Sequence, residues 1–341
     1  METAVIRLSD NKVETHLPGG NKTFQLPGTG VAATPHKKKV FIEANTQEVS
    51  LSHLKRNCII PVFTKDNEVT ISHQSFIEAA VNALTKFLPG VPFDEPEVRV
   101  SHEIKGRTPD ALHIPAKELL DYQKTSYFER MAFIIRVPSI TENINGNLLS
   151  LTIGGVRAYN LDNLYNKKSY EKFKFFIGFQ NMVCCNLCIS TDGYQQEART
   201  MSIYDLEEKM LQVIQAYNME FHLNSMQSLT QVFISEQQFA QFIGKGKLYN
   251  YLPKAERALL PELLLTDSHI STIAKDYYSD ESFCRNSNGN LSIWNMYNLF
   301  TGANKGSYID TFLDRGVNAS SFSEGILKAL SSDSSYSWFL S

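Results

Sequence analysis

The residues of this chain best suited to chemistry form several constellations, and each has to be set against a plainer use of the same side chains. Asp94 and then Glu103-Ile104-Lys105 offer two carboxylates and a lysine. That is the set with which a metal-dependent nuclease holds a divalent ion and steers an attacking water. In a strand, Glu103 and Lys105 share one face, as that chemistry needs. About one Glu-x-Lys is expected by chance in a chain this long, so an exposed ion pair explains the same residues. Gly302-Ala303-Asn304-Lys305-Gly306-Ser307 resembles a phosphate loop only in composition. The order is Lys-Gly-Ser after a helix, whereas a nucleotide-hydrolysing loop needs Gly-Lys-Ser/Thr after a strand. Two readings of this turn stay open. Lys305 and Ser307 can hold one backbone phosphate, or Gly302 and Ser307 can cap two helices.

Cys184, Cys185 and Cys188 contain one Cys-x-x-Cys among five cysteines, and zinc would need a second pair. Buried, metal-free thiols are expected there. The histidines come without a Ser or Cys elbow or a His-Glu-x-x-His pattern, so no catalytic residue and no cofactor is assigned. The chain therefore reads as a binder rather than an enzyme.

Basic residues interleaved with aromatics give the stronger binding signal. Between Gly154 and Gln180 lie Arg157, Lys167, Lys168, Lys172 and Lys174 against Asp162 and Glu171, a local 5 − 2 = +3. Tyr159, Tyr165, Tyr170 and Phe173 lie among them. A second segment places Lys245, Lys247, Lys254 and Arg257 against Glu256, 4 − 1 = +3, beside Tyr249 and Tyr251. Cations on phosphates and aromatics under bases are what hold single-stranded DNA or RNA. The candidate nucleic-acid contacts are Arg99, Lys105, Arg107, Arg157, Lys172, Lys174, Lys245, Lys247, Lys305 and Ser307. Arg157, Lys172 and Lys174 are expected on one exposed surface with Tyr159, Tyr165 or Tyr170, near Lys245 or Lys247. The competing class is a protein-interaction module with Trp294, Tyr297 and Tyr308 as anchors.

These residues need elements to position them. The 341 residues allow two domains, and 43% hydrophobic content is enough for a core. The formal net charge of −3 excludes a general attraction to polyanions, so such binding must use a local patch. The first residues are too polar for a signal peptide, no window reads as a membrane span, and the odd cysteine count suits a reducing compartment; a cytoplasmic protein without membrane contact is expected. Residues 1–60, with Pro18-Gly19-Gly20, Pro27-Gly28, Gly30 and Pro35, read as an irregular arm with short edge strands. Residues 61–200 read as sheet-rich. Phe76, Ala79, Ala80, Ala83, Leu84 and Phe87 have helical spacing, and strands are predicted over 131–137, 149–153, 173–177 and 182–189. Thr191-Asp192-Gly193 is a turn. Residues 201–341 read as helical, with Ser202, Ser235, Asp267 and Ser321 as helix starts. The fold class is α+β, with its sheet-to-helix border near 192–202.

The strings 100–107, 128–133, 151–156, 176–181 and 301–310 together resemble an uncharacterised bacterial family, domain of unknown function 3871, from about residue 60 to the end. The C-terminal helix pair, with Trp294, Tyr297-Asn298 and Tyr308, is also similar to phage- and plasmid-related proteins. That resemblance implies carriage on mobile elements and supplies no reaction. The N-terminal arm is expected to lie outside it.

Overall fold

The structure is a computed structural model that describes residues 6–9, 12–15, 22–25, 39–58, 70–111, 113–162, 170–332 and 334–341. The chain forms two compact units, Met1–Lys39 and Val40–Ser341. In the first, β1 (Ile6–Ser9), β2 (Lys12–Thr15) and β3 (Lys22–Gln25) form an antiparallel three-stranded meander. The Pro and Gly residues expected to make this arm irregular lie outside the described residues.

The second unit holds both the sheet and the helices. It starts before the expected border at residue 60, because β4 (Gln47–Val49) joins the main sheet and α1 (Leu51–Asn57) buries Leu54. Next comes α2 (His73–Phe87), capped by Ser72 accepting from Ser75 N, with the predicted apolar stripe buried from Phe76 to Leu84 and its last member, Phe87, exposed. The sheet is then built from β5 (Glu97–Val100) and from three long strands, β8 (Arg130–Ile144), β9 (Asn147–Ala158) and β10 (Glu171–Asn181). Between β5 and β8, β6 (Glu103–Arg107) and β7 (Lys124–Phe128) form a separate two-stranded sheet. Two short strands, β11 (Leu187–Cys188) and β12 (Tyr194–Thr200), both pair with β10. The order is β11-β10-β9-β8-β5-β4, all antiparallel.

Both faces of this sheet are covered, which is why its strands read as nearly continuous apolar runs. On one face Phe76 of α2 meets Phe133 and Phe173, with ring centroids 5.1 and 4.8 Å apart. No side chain fits at Gly155 on that face: a Cβ would lie 2.5 Å from the Phe76 ring and 2.7 Å from the Lys174 carbonyl. On the other face Ala132, Ile134, Val156 and Phe176 pack with Ile309, Phe312 and Leu313.

Helices follow from Ser202: α3 (Ile203–Ala216), α4 (Met219–Leu229), α5 (Glu236–Tyr249), the single turn α6 (Lys254–Arg257), α7 (Asp267–Ser279), α8 (Ile293–Asn304) and α9 (Ile309–Ser331). A two-residue pair, β13 (Phe233–Ile234) with β14 (Leu291–Ser292), interrupts them. The α+β class and the sheet-before-helix order hold, and Ser202 and Ser235 cap as expected.

Strand β12 follows the Asp192-Gly193 turn and pairing ends at Thr200, inside the expected border of 192–202. Three local expectations need correction. Residues 182–186 turn rather than extend, because Val183 N donates to Asn181 Oδ1 and Cys185 adopts φ +62°. The N-cap of α7 is Thr266, one residue before Asp267. Ser321 starts no helix: α9 runs unbroken through it, and its buried face continues to Ile326.

Candidate binding surfaces

Alternation in β9 and β10 decides where the first basic segment goes. Arg157 pairs in register with Met131, and Lys174 with Val156. Register partners share a face and neighbours along a strand do not, so Arg157 points to the α2 side while Lys172 and Lys174 point to the α9 side. The expected single surface of Arg157, Lys172 and Lys174 does not form.

Arg157 is fully buried. Its Nη2 donates to Asp162 Oδ2 at 3.0 Å and to Glu171 Oε2. The guanidinium carbon stands 4.7 Å from the Tyr159 ring centre and 4.2 Å from that of Phe173. Glu171 also accepts from Ile71 N, and Tyr159 Oη from His73 N. The cluster ties α2 to the sheet. Its aromatics are committed to Arg157, so neither ring is offered to a base. Tyr165, Lys167 and Lys168 lie outside the described residues.

The same region holds a group of ionisable side chains, and its electrostatics oppose nucleophilic chemistry. Cys58, His73, Tyr127 and Tyr159 line a cavity of about 60 Å³. Burial first, then the Arg157 charge, pushes His73 down to about 3, so it stays neutral. Its Nε2 faces the Phe128 carbonyl at 2.8 Å, leaving Nδ1 without a hydrogen bond. Burial and the Glu103 charge push the Cys58 thiol up. A neutral imidazole beside a protonated thiol is the reverse of an activated pair.

The carboxylates expected to share a metal are apart. Asp94 bonds Arg136 Nε at 2.9 Å, whereas Glu103 accepts from Ser126 in the β6–β7 sheet. The register places Asp94 beside Arg136 and Ser101 beside Arg130. Those β8 positions are six residues, roughly 20 Å, apart. Among the described residues no three His, Cys, Asp or Glu side chains are grouped to hold a metal ion. Cys188 is buried and its thiol is pushed up to about 12 by burial; Cys184 and Cys185 are half-buried.

The turn at 304–307 is interior. Helix α8 passes through Gly302 to Asn304, and Tyr308, not Ser307, is the N-cap of α9. Lys305 is 8% exposed, its Nζ donates to the Cys184 carbonyl, and its own carbonyl accepts from Glu43 N and Ala44 N. Ser307 is 2% exposed and donates to Asn304 Oδ1 at 2.7 Å. Thr266 N donates to His269 Nδ1, which leaves Nε2–H facing Ser307 Oγ at 3.2 Å; burial pushes His269 down to about 4. Neither the phosphate reading nor the two-cap reading describes this turn. Trp294 and Tyr297 are likewise core side chains, since α8 is buried on nearly all sides; only Tyr308 of the three expected anchors is exposed.

Among the remaining basic candidates, Arg99 is bound to Thr46 and Arg107 to the Ile114 carbonyl, while Lys105 is exposed on β6. Lys174 is paired with Asp314, and Lys172 lies 3.5 Å from Glu197. Sequence patterning missed Arg130 and Arg199. Register places Arg130 opposite Ala158 and Arg199 opposite Lys172, so both join the face that carries Lys172.

The second basic segment is different. Lys247, Lys254 and Arg257 are exposed, and none lies within ion-pair distance of a carboxylate among the described residues. Lys245 stacks 4.6 Å from the Trp338 ring centre. Tyr249 is buried, with Arg257 5.9 Å over its ring. Tyr251 is 76% exposed while its hydroxyl donates to Asp267 Oδ2 at 2.6 Å. The tether holds an exposed ring, with Lys247 and Lys254 on either side of it along the chain.

The model of a family described as "Domain of unknown function, B. Theta Gene description" (domain of unknown function 3871) matches residues 29–340. The match starts within the stretch expected to lie outside it. No curated protein and no solved structure matches the chain.

Proposed function

The chain belongs to that family of unknown function, and on that premise we propose that it is a non-enzymatic protein that binds single-stranded nucleic acid through the α5–α6 surface. The reading rests on Tyr251: an exposed aromatic ring whose hydroxyl is held by Asp267, with Lys247, Lys254 and Arg257 having no carboxylate within ion-pair distance among the described residues. Fixed aromatics beneath bases and unpaired cations on phosphates are the two requirements for sequence-tolerant strand binding. The net charge of −3 makes such a patch a local attractor and leaves the rest of the molecule unattractive to polyanions. We place this binding on mobile genetic elements, as the expected likeness of the Trp294 to Tyr308 region to phage- and plasmid-related proteins implies.

The test is fluorescence anisotropy with a labelled oligothymidylate across a salt series. Binding should weaken with salt by about 0.7 log unit per log unit for each phosphate contact. Changing Tyr251 to Ala should cost roughly 1–3 kcal/mol if one base stacks there. No binding at low salt, or binding indifferent to Tyr251, rejects the reading.

One observation favours a second reading, a protein-interaction module at the same segment. Leu248 is 59% and Leu259 81% exposed. Leucines contribute nothing to a phosphate contact but suit the centre of a protein interface. Retention of a protein partner that survives high salt supports this alternative over the first.

A further inference from the structure

Of the expected anchors Trp294, Tyr297 and Tyr308, the last alone is exposed, and the α5–α6 reading leaves it unused. Its ring is 66% exposed, and its side chain makes no hydrogen bond, ion pair or ring contact among the described residues. The backbone beneath it is fixed. Tyr308 is the N-cap of α9, and its carbonyl accepts from Thr311 N at 3.0 Å and from Thr311 Oγ1 at 3.2 Å. A tyrosine on a fixed backbone has two side-chain torsions left to order, so little entropy is lost when a flat partner settles on it.

The first turn of α7 connects this ring to the α5–α6 surface. Asp267, the first residue of that helix, accepts from Tyr251 Oη at 2.6 Å. His269, two residues on, faces Ser307 Oγ at 3.2 Å, and Ser307 precedes Tyr308. One exposed tyrosine is thus bonded to this turn, and the other follows a residue bonded to it. The span between them is one that a strand-binding site of roughly 4–16 nucleotides covers. The surroundings of Tyr308 suit a base better than a protein interface, whose centre gathers several large apolar side chains. Between Ser279 and Ser341, Tyr308 is the one exposed large hydrophobic side chain among the described residues.

We propose that Tyr308 is a second stacking platform of the surface that carries Tyr251, so that the ligand is a run of several unpaired nucleotides rather than a mononucleotide or a duplex. One base lies on each tyrosine, and the strand between them crosses the first turn of α7. The assignment rests on the nucleic-acid reading and extends it from one platform to two.

The probes are labelled oligothymidylates of about 4 and about 16 nucleotides, the ends of that size range, titrated into the full chain at low salt. Tyr308→Ala should weaken the longer strand about 5- to 150-fold, the loss of one stacked base, and Tyr308→Phe should bind like the wild type because stacking needs the ring and not the hydroxyl. Combined with Tyr251→Ala, the two losses should multiply, since the side chains do not touch. The shorter strand, which can still use Tyr251, should lose about twofold at most with Tyr308→Ala. A readout that needs no variant is photocrosslinking of the longer strand carrying iododeoxyuridine, with crosslinks expected at both Tyr251 and Tyr308. Binding of the longer strand that depends on Tyr251 but not on Tyr308, or crosslinks at Tyr251 alone, overturns the second platform and leaves the nucleic-acid reading standing. No binding of either strand by the wild type removes both.

Discussion

Arg157 in the sheet and Arg257 beside α5 carry the same guanidinium in two opposite settings. Arg157 is buried between two aromatic rings and two carboxylates, whereas Arg257 is exposed and has no carboxylate within ion-pair distance among the described residues. The segments around them hold equal local charge, yet one is internal wiring and the other a free surface. What separates them is long-range pairing. Asp314, far along the chain on α9, neutralises Lys174, and Glu197 on β12 approaches Lys172. A cluster of cations in a strand acquires partners from whatever packs against that strand. The single turn α6 buries no residue, and its cations have no carboxylate within ion-pair distance among the described residues.

The comparison can be broken first at Arg157. Changing it to Met removes the cation shared by two buried carboxylates, with an expected loss of about 3–5 kcal/mol in urea unfolding. Adding Glu171→Gln to that variant should recover part of it. A loss below about 1 kcal/mol would mean that Arg157 is no more structural than Arg257.

Acid should then weaken the buried regions selectively. His73 sits at about 3, and His222 and His269 at about 4, all lowered mainly by burial, against an ordinary value near 6.5. Below pH 6.5 the unfolded chain takes up protons that the folded chain refuses. The stability these histidines contribute is present above pH 6.5 and is lost as pH falls toward 4, by about 1 kcal/mol per pH unit per histidine. Unfolding midpoints across that window, compared with a His73→Gln variant of smaller slope, check it.

A smaller effect is expected at Gly155. Its Ala variant should cost about 1–3 kcal/mol, because the Phe76 ring and the Lys174 carbonyl both have to give. Near-wild-type unfolding would show that α2 tolerates a shift against the sheet.

Smallest in stability, and most telling for function, is the combined change of Lys247, Lys254 and Arg257 to Ala. Each should move stability by less than about 0.5 kcal/mol. Together they should flatten the salt dependence of oligothymidylate binding by about 2, since each phosphate that is no longer neutralised removes roughly 0.7 from the slope. Unfolding of this variant would erase the distinction between the two regions.

Much of the fold could be read from residue patterns. The α2 stripe, the caps at Ser202 and Ser235 and the long strands follow local chemistry, and they appear where that chemistry puts them. The misreadings have a common cause in partners remote along the chain. Lys305 and Ser307 have the composition of an anion-binding turn, but the Cys184 carbonyl and the His269 ring enclose them. Trp294 and Tyr297 resemble anchors because a helix apolar on all sides offers the same residue types as an interface. Arg130 and Arg199 escape notice in the sequence because only strand register brings them to one face. Lys247 and Tyr251 stay on the surface because few other residues enclose them.

The Lys305 turn bears on how the chain is made. Segment 43–44, the loop at Cys184 and the end of α8 all meet at this one residue. Synthesis proceeds from the N-terminus, so the sheet leaves the ribosome long before residues 305–313 arrive to cover Ala132, Ile134, Val156 and Phe176. For that interval a broad apolar face has no native cover. A nascent chain halted after β12 should therefore be captured by chaperones or aggregate, and release should require translation through the start of α9.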